Sequence, residues 1–174
     1  VDYLHLDIMD GHYVPNLTLG TDLTRTLADA YSAPLDIHLM VDDPDTWARV
    51  FAQAAVRDQK PAPVITIHPE TTWHPARTLT AIRDAGAVPG LAIDPAQRPE
   101  QFQNLLELVG LVLVMTVNPG YAGQKLVPWT LGSVEWLREE RERRGLEYEI
   151  EVDGNVSWDN IPRMVDTGAD GLVA

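Results

Sequence analysis

Strand-length apolar runs alternate with amphipathic helical patterns along the whole chain, and this alternation constrains its fold more than any other feature. The run at 111–117 is almost wholly apolar, as expected for a strand that is covered on both faces. Strict alternation of strands and helices predicts a parallel sheet, either open and doubly wound or closed as a barrel. No G-x-G-x-x-G fingerprint follows the first strand, which disfavours a dinucleotide-binding fold.

The pattern predicts about seven strands with helices between them. Pro44 opens the second helix with Asp43 as its possible cap, and Gly86 ends the third. The predicted strands are 3–9, 35–40, 63–67, 88–93, 111–117, 148–152 and 171–174. The predicted helices are, approximately, 21–31, 44–57, 75–85, 99–108, 129–144 and 158–167.

The 174 residues contain no composition break, so we expect a single domain over 1–174. The chain starts inside a predicted strand and stops inside another. An eight-stranded barrel would need one more βα unit at the front and a helix at the back. We therefore expect that both ends of the native protein are missing from this sequence.

The composition excludes several classes of function. A net charge of −13 repels nucleic acid and anionic membranes, and no apolar run is long enough to predict a membrane span. Without cysteines, only His, Asp and Glu remain as plausible metal ligands. The absence of cysteines also makes a cytoplasmic location the default. A small phosphate can still be held locally by backbone N–H groups, helix N-termini and a metal ion.

Polar side chains collect at the C-terminal ends of the predicted strands, where α/β barrels place their active sites. His5 and Asp7 share one face of the first strand because they are two residues apart. Together with His38 and Asp153 they offer two imidazoles and two carboxylates, a set that suits Zn²⁺, Mn²⁺ or Fe²⁺. A single histidine near a strand end more often has a hydrogen-bonded structural role, but four such residues on one rim weaken that interpretation considerably. The strand ends are marked by His5, Asp7, His38, His68, Asp94, Asn118 and Asp153.

Other residues near the strand ends have simpler interpretations. Asp10 precedes a glycine, which favours turn chemistry over catalysis. Asp36 shares a face with His38 and is either a carboxylate that orients the histidine or an unrelated interior group. The methionines at 9, 40 and 115 are most simply core residues.

Two glycine-containing segments have both a functional and a plain interpretation. The loop 118–124 contains Gly120 and Gly123, so it is either a lid over the substrate or an ordinary surface loop. Gly154 follows Asp153 and precedes a predicted helix, where N–H groups can meet a phosphate.

Six segments resemble the ribulose-phosphate 3-epimerase family in the right order over nearly the whole chain. The first and fifth segments are highly specific. The segments are DYLHLDIMDGHYVPN at 2–16, DIHLM at 36–40, IHPE at 67–70, GLAIDP at 90–95, VMTVNPG at 114–120 and EVDG at 151–154.

The resemblance implies a (β/α)₈ TIM barrel of the α/β class and an isomerase of carbohydrate metabolism in the pentose phosphate pathway. It implies one divalent ion (Zn, Mn, Fe or Co) and no nicotinamide cofactor. Asp7 and Asp153 then form the acid/base pair that epimerises C3 of a ketose phosphate. The family generally forms homo-oligomers. The implied ligands are His5, Asp7, His38 and Asp153, and the implied substrate-binding residues are Met9, Met40, Met115, Gly120, Gly123 and Gly154.

The sequence departs from the family pattern at the phosphate site. The usual serine of the first barrel strand and the Gly-Ser-type loop after the last strand are absent, and Asn155 stands where a second glycine is common. We therefore expect an incomplete phosphate site in the chain as given.

The substrate has two alternatives. D-ribulose 5-phosphate comes first, because it belongs to the commoner member of the family. The segments 16–19 and 145–154 also resemble the D-allulose-6-phosphate 3-epimerase branch, which acts on a ketohexose phosphate. A non-catalytic barrel relative is a further alternative, and loss of a metal ligand would favour it.

Overall fold

The computed structural model describes residues 2–174 and confirms the alternation of strands and helices. No helix in this range combines the length and apolar character needed to cross a membrane. The strands are β1 (Leu4–Met9), β2 (Leu35–Met40), β3 (Val64–Ile67), β4 (Val88–Ile93), β5 (Leu111–Met115), β6 (Glu149–Asp153) and β7 (Gly171–Val173). The helices are α1 (Thr21–Ala30), α2 (Pro44–Ala55), α3 (Pro75–Asp84), α4 (Thr130–Arg144) and α5 (Ile161–Thr167).

The strands follow one another in sequence order through a seven-stranded sheet. The β1–β2, β2–β3, β5–β6 and β6–β7 pairs are parallel. Successive parallel strands joined by helical connections are the repeating unit of a (β/α)₈ barrel, so the predicted fold class is confirmed. The chain divides into two compact units, the first ending at Gly90 and the second beginning at Leu91.

The first unit owes its order to burial of its central strands and to well-formed helix ends. Every residue of β2 and β3 is buried, as expected for strands covered on both faces. Asp43 caps α2 by accepting a hydrogen bond from the Thr46 N–H at 3.1 Å, as predicted. Gly86 follows α3 with a φ of 86°, the left-handed conformation that glycine adopts most easily after a helix.

The second unit differs from prediction in two of its helices. The stretch 99–108 is not an α-helix but two short 3₁₀ segments, Pro99–Phe102 and Leu106–Leu108. Apolar residues three apart fit both kinds of helix, so the sequence pattern did not separate them. The last helix begins at Ile161 rather than near 158, which places Pro162 in the first turn, where proline is tolerated.

Candidate functional site

The polar residues of β1 and β2 face each other across the strand pair. In the parallel register His5 lies opposite Asp36, Asp7 opposite His38, and Met9 opposite Met40. Side chains alternate between the two faces of a strand, so these pairs share one face. The first unit therefore brings together three of the four predicted ligands and two of the three predicted methionines.

Asp7 lies between the two histidines of this face. Its Oδ1 atom is 3.3 Å from His5 Nε2 and 3.0 Å from His38 Nδ1. The ligand atoms of these three residues all lie within 4.8 Å of one another. Metal–ligand bonds of about 2.0–2.2 Å place neighbouring ligand atoms about 3–3.5 Å apart, so the spacing fits a divalent cation. Imidazole nitrogen and carboxylate oxygen also suit Zn, Mn, Fe and Co.

Mutual hydrogen bonds shift the pKa values of this cluster in opposite directions. Burial disfavours a charged His5, but its hydrogen bonds with Asp36 and then Asp7 outweigh burial and raise the pKa of His5 to about 11. Burial also opposes ionisation of Asp7. Its hydrogen bonds with His38 and His5 nevertheless hold the pKa of Asp7 well below its usual range. Asp7 is thus a carboxylate at neutral pH.

Asp36 forms its hydrogen bond with His5, which lies directly across from it on β1. The sequence pattern points instead to His38, which is two residues away on the same strand as Asp36. The side chain of Asp36 is almost fully buried, and its Oδ2 atom forms a short hydrogen bond with His5 Nδ1. A carboxylate on one imidazole nitrogen fixes the ring and leaves the other nitrogen for a ligand. The structure therefore supports an orienting role for Asp36, with His5 and not His38 as the ring that it orients.

His68 belongs to a row of hydrogen-bonded side chains that the sequence did not reveal. His38 and His68 are both fully buried, with 2.8 Å between their Nε2 atoms. His68 Nδ1 is 2.9 Å from the Tyr13 hydroxyl, which donates to Glu70 Oε1 at 2.6 Å. Tyr13 and Glu70 lie in segments that resemble the family, yet no local pattern links residues that are 57 positions apart.

Asp10 forms a turn, as predicted. Its Oδ1 accepts hydrogen bonds from the N–H groups of His12 at 2.8 Å and Tyr13 at 3.0 Å, and its Oδ2 accepts from Asp42 N–H at 2.7 Å. These bonds hold the backbone of Tyr13 after the end of β1, from where its side chain reaches His68.

In the second unit, Asp153 ends β6 opposite Met115 of β5. The Asp153 carbonyl accepts hydrogen bonds from the Thr116 N–H at 2.8 Å and the Thr116 hydroxyl at 2.9 Å. The same hydroxyl also contacts the carbonyl of Gly154 at 2.5 Å. Thr116 thus fixes the backbone around Asp153. The sequence pattern gives no role to Thr116, which stands out only as a polar residue near the end of an apolar run.

Gly154 occupies a crowded position with a left-handed backbone. Its φ is 118°, and a Cβ atom added there would lie 2.5 Å from Val117 Cγ2. Both features require glycine. The predicted role of Gly154 in binding phosphate is not tested by this geometry and stays a prediction.

The loop after β5 is closed by the side chain of Gln124. Its Nε2 donates to the carbonyls of Asn118 at 2.5 Å and Tyr121 at 3.0 Å. Gly120 and Gly123 have φ values of 105° and 81°, so the loop needs at both positions a backbone conformation that glycine adopts most easily. Its predicted movement as a lid stays a prediction.

Comparison with known proteins identifies close sequence relatives and more distant structural ones. A model described as the ribulose-phosphate 3 epimerase family matches residues 1–174. Proteins named ribulose-phosphate 3-epimerase are 40% identical over 173 residues in Helicobacter pylori and 38% identical over 174 residues in Escherichia coli. Each match covers 99% of this chain, and 77% and 75% of the respective relative.

Among solved structures, a mutant tryptophan synthase alpha-subunit from Pyrococcus furiosus matches with a TM-score of 0.61 at 16% identity. The match covers 88% of this chain and 60% of that subunit, so the chain spans less than two thirds of the solved protein. At this identity the likeness supports the fold alone.

Proposed function

The chain belongs to the ribulose-phosphate 3-epimerase family, and from this premise we propose that it interconverts D-ribulose 5-phosphate and D-xylulose 5-phosphate. The observation that carries the proposal is the pairing of a family match over residues 1–174 with a cluster of His5, Asp7 and His38 that fits a divalent cation. A relative that had lost catalysis would be expected to lose such a ligand, and these three are present.

We propose that the cation is Zn²⁺, Mn²⁺, Fe²⁺ or Co²⁺, held by His5, Asp7 and His38 with Asp153 as the fourth ligand. The first three are supported by their mutual spacing. Asp153 is proposed from the family resemblance and from its place at the end of β6. When bound, such a cation stabilises the negative charge that develops on a substrate enediolate.

The two aspartates supply the proton transfers. The C3 proton of the ketose phosphate lies next to a carbonyl, so one carboxylate can remove it from one face of the carbon. The second aspartate, in its protonated form, returns a proton to the opposite face and thereby inverts C3. This chemistry requires Asp7 and Asp153 to be held in different protonation states, which differing surroundings can achieve.

The remaining predicted residues hold the substrate in this proposal. Met9 and Met40 line the reacting carbon from β1 and β2, and their register supports a shared place on one face. Met115 does the same from β5. Gly120 and Gly123 belong to the cover over the substrate, and Gly154 presents backbone N–H groups to the phosphate.

Replacement of Asp153 tests the mechanism. Asp153→Asn keeps the shape of the side chain and removes its carboxylate, so turnover of ribulose 5-phosphate should fall by about 10³-fold or more. Asp159→Asn changes an exposed aspartate six residues later and should leave turnover unchanged. Near-normal turnover by a folded Asp153→Asn protein would sink the two-aspartate mechanism.

Side-by-side assays on ribulose 5-phosphate and allulose 6-phosphate test the substrate. The names of the relatives favour ribulose 5-phosphate, so we expect the higher kcat/KM on the pentulose. A higher kcat/KM on the hexulose phosphate would overturn this choice.

The location, the assembly and the partners are also proposed. From the family we expect a homo-oligomer that acts on a small ketose phosphate. From composition and charge we expect a cytoplasmic protein with no nucleic acid or membrane as a ligand. Light scattering of the purified protein measures the assembly directly.

A further inference from the structure

The rings of His38 and His68 meet through their nitrogen edges. Their centroids are 5.0 Å apart, whereas the two Nε2 atoms are only 2.8 Å apart. Both residues are fully buried, so solvent does not compete for this contact. One of the two nitrogens must therefore donate and the other accept.

The direction of donation follows from Glu70. An ionised carboxylate only accepts, so the Tyr13 hydroxyl donates its hydrogen to Glu70 Oε1 at 2.6 Å. The Tyr13 oxygen then accepts from His68 Nδ1 at 2.9 Å. Glu70 Oε1 also lies 3.3 Å from His68 Nδ1, which again favours a hydrogen on that nitrogen.

A neutral imidazole that carries its hydrogen on Nδ1 accepts through Nε2. His68 Nε2 therefore accepts from His38 Nε2–H. The remaining nitrogen of His38, Nδ1, lies 3.0 Å from Asp7 Oδ1 and donates to it in the metal-free protein. A bound cation would displace this hydrogen and take the Nδ1 lone pair, while the hydrogen on Nε2 stays in its bond to His68.

We propose that Glu70, Tyr13 and His68 are positioning residues that hold the His38 hydrogen on Nε2 and so direct its Nδ1 lone pair toward the cation site. This inference rests on the proposed function, since it assigns a role to residues behind the proposed ligand His38. Groups that orient a ligating histidine typically change metal affinity by about 10–100-fold when they are removed.

The first test reads the tautomer without any metal. Nitrogen NMR of histidine-labelled, chelator-treated protein should show His68 with its hydrogen on Nδ1 and an unprotonated Nε2. A hydrogen on His68 Nε2 would reverse the direction of donation between His68 and His38 and overturn the inference. Because no metal or substrate is present, this result is independent of the proposed epimerase activity.

The second test measures the affinity for Zn²⁺ by isothermal titration calorimetry. The double variant Tyr13→Phe, Glu70→Ala removes both oxygens near His68 Nδ1 and should bind Zn²⁺ about 10–100-fold more weakly. Tyr13→Phe alone should show an intermediate loss, because Glu70 can then accept from His68 directly.

The matched control is Tyr31→Phe, Glu147→Ala, which makes the same chemical changes at two exposed residues and should bind Zn²⁺ like the unchanged protein. An unchanged affinity in the double variant overturns the positioning role. Failure of the unchanged protein to bind Zn²⁺ or to epimerise ribulose 5-phosphate instead contradicts the proposed function, while the NMR result still decides the tautomer.

Discussion

His38 Nδ1 lies 3.0 Å from Asp7 Oδ1, and the two residues are directly opposite each other in the parallel register of β1 and β2. Both side chains emerge from regular strands, so the sheet itself sets their separation. A slip of one residue between the strands would turn one of the two side chains to the other face. The proposed cation site therefore depends on this register as much as on the residues themselves.

Asp36→Asn should weaken the site by loosening His5. The carboxylate of Asp36 is buried against His5 Nδ1, and an amide in its place removes the charge that holds the ring. We expect Zn²⁺ affinity to fall by about tenfold, measured by calorimetry. Asp29→Asn, which changes a surface partner of Arg57, should not alter the affinity. Equal affinities for the two variants would rule out an orienting role for Asp36.

Gly154→Ala should distort the backbone beside Asp153. The new Cβ would lie 2.5 Å from Val117 Cγ2 at a φ of 118°, so both sterics and backbone strain oppose it. We expect loss of most epimerase turnover and a stability decrease of about 2–4 kcal/mol in chemical denaturation. Gly145→Ala separates backbone strain from steric clash, because Gly145 has a φ of 64° but an added Cβ there meets nothing within 4 Å. It should cost only about 1–2 kcal/mol and leave turnover intact.

Gly90→Ala should destabilise the first unit. An added Cβ would lie 2.2 Å from Thr66 Oγ1 and 3.1 Å from Thr66 Cα, and Thr66 is fully buried. Overpacking of this kind costs about 1–3 kcal/mol, which thermal unfolding would detect. Gly132→Ala is the control, since its Cβ meets nothing within 4 Å and alanine favours the helix α4. A melting temperature for Gly90→Ala equal to or above that of the unchanged protein would contradict the steric argument.

Asp45→Asn should change how the free energy of unfolding depends on pH at acidic pH. Burial of Asp45 opposes its ionisation, but hydrogen bonds from Thr78 and Thr72 and the charge of Arg77 outweigh burial and lower its pKa. A carboxyl with a lowered folded pKa stabilises the fold above its unfolded value, near 3.8, and this contribution is lost as pH falls through the folded pKa. Denaturation between pH 6 and pH 2 should therefore show a shallower decline for the variant.

The Asp45→Asn protein should also lose about 1–2 kcal/mol at neutral pH, because weaker acceptors replace the carboxylate at Thr72 and Arg77. Thr80→Val provides the control: its hydroxyl bonds the Ala76 carbonyl within α3, so the acid dependence should match that of the unchanged protein. Parallel pH curves for Asp45→Asn and the unchanged protein would refute the linkage.

Much of the fold was predictable because its signals are local. The period of two along β1 placed His5, Asp7 and Met9 on one face, and the strand ends located the other polar residues. The larger of the two exceptions is 99–108, where apolar spacing fits a 3₁₀ turn as well as an α-helix, and the other is the late start of α5 at Ile161. The partners of the polar groups were not predictable to the same degree, because no spacing rule joins Tyr13 to His68 or Glu70.

The sequence by itself determined the order of strands and helices, the polar residues at the strand ends and the family. Only the tertiary structure decided which side chain each of these residues meets. Asp36 pairs with His5 instead of His38 because the register of β1 against β2 sets them opposite each other. The sequence of a strand determines which of its side chains share a face. The residue opposite each side chain depends on the register in which neighbouring strands pair.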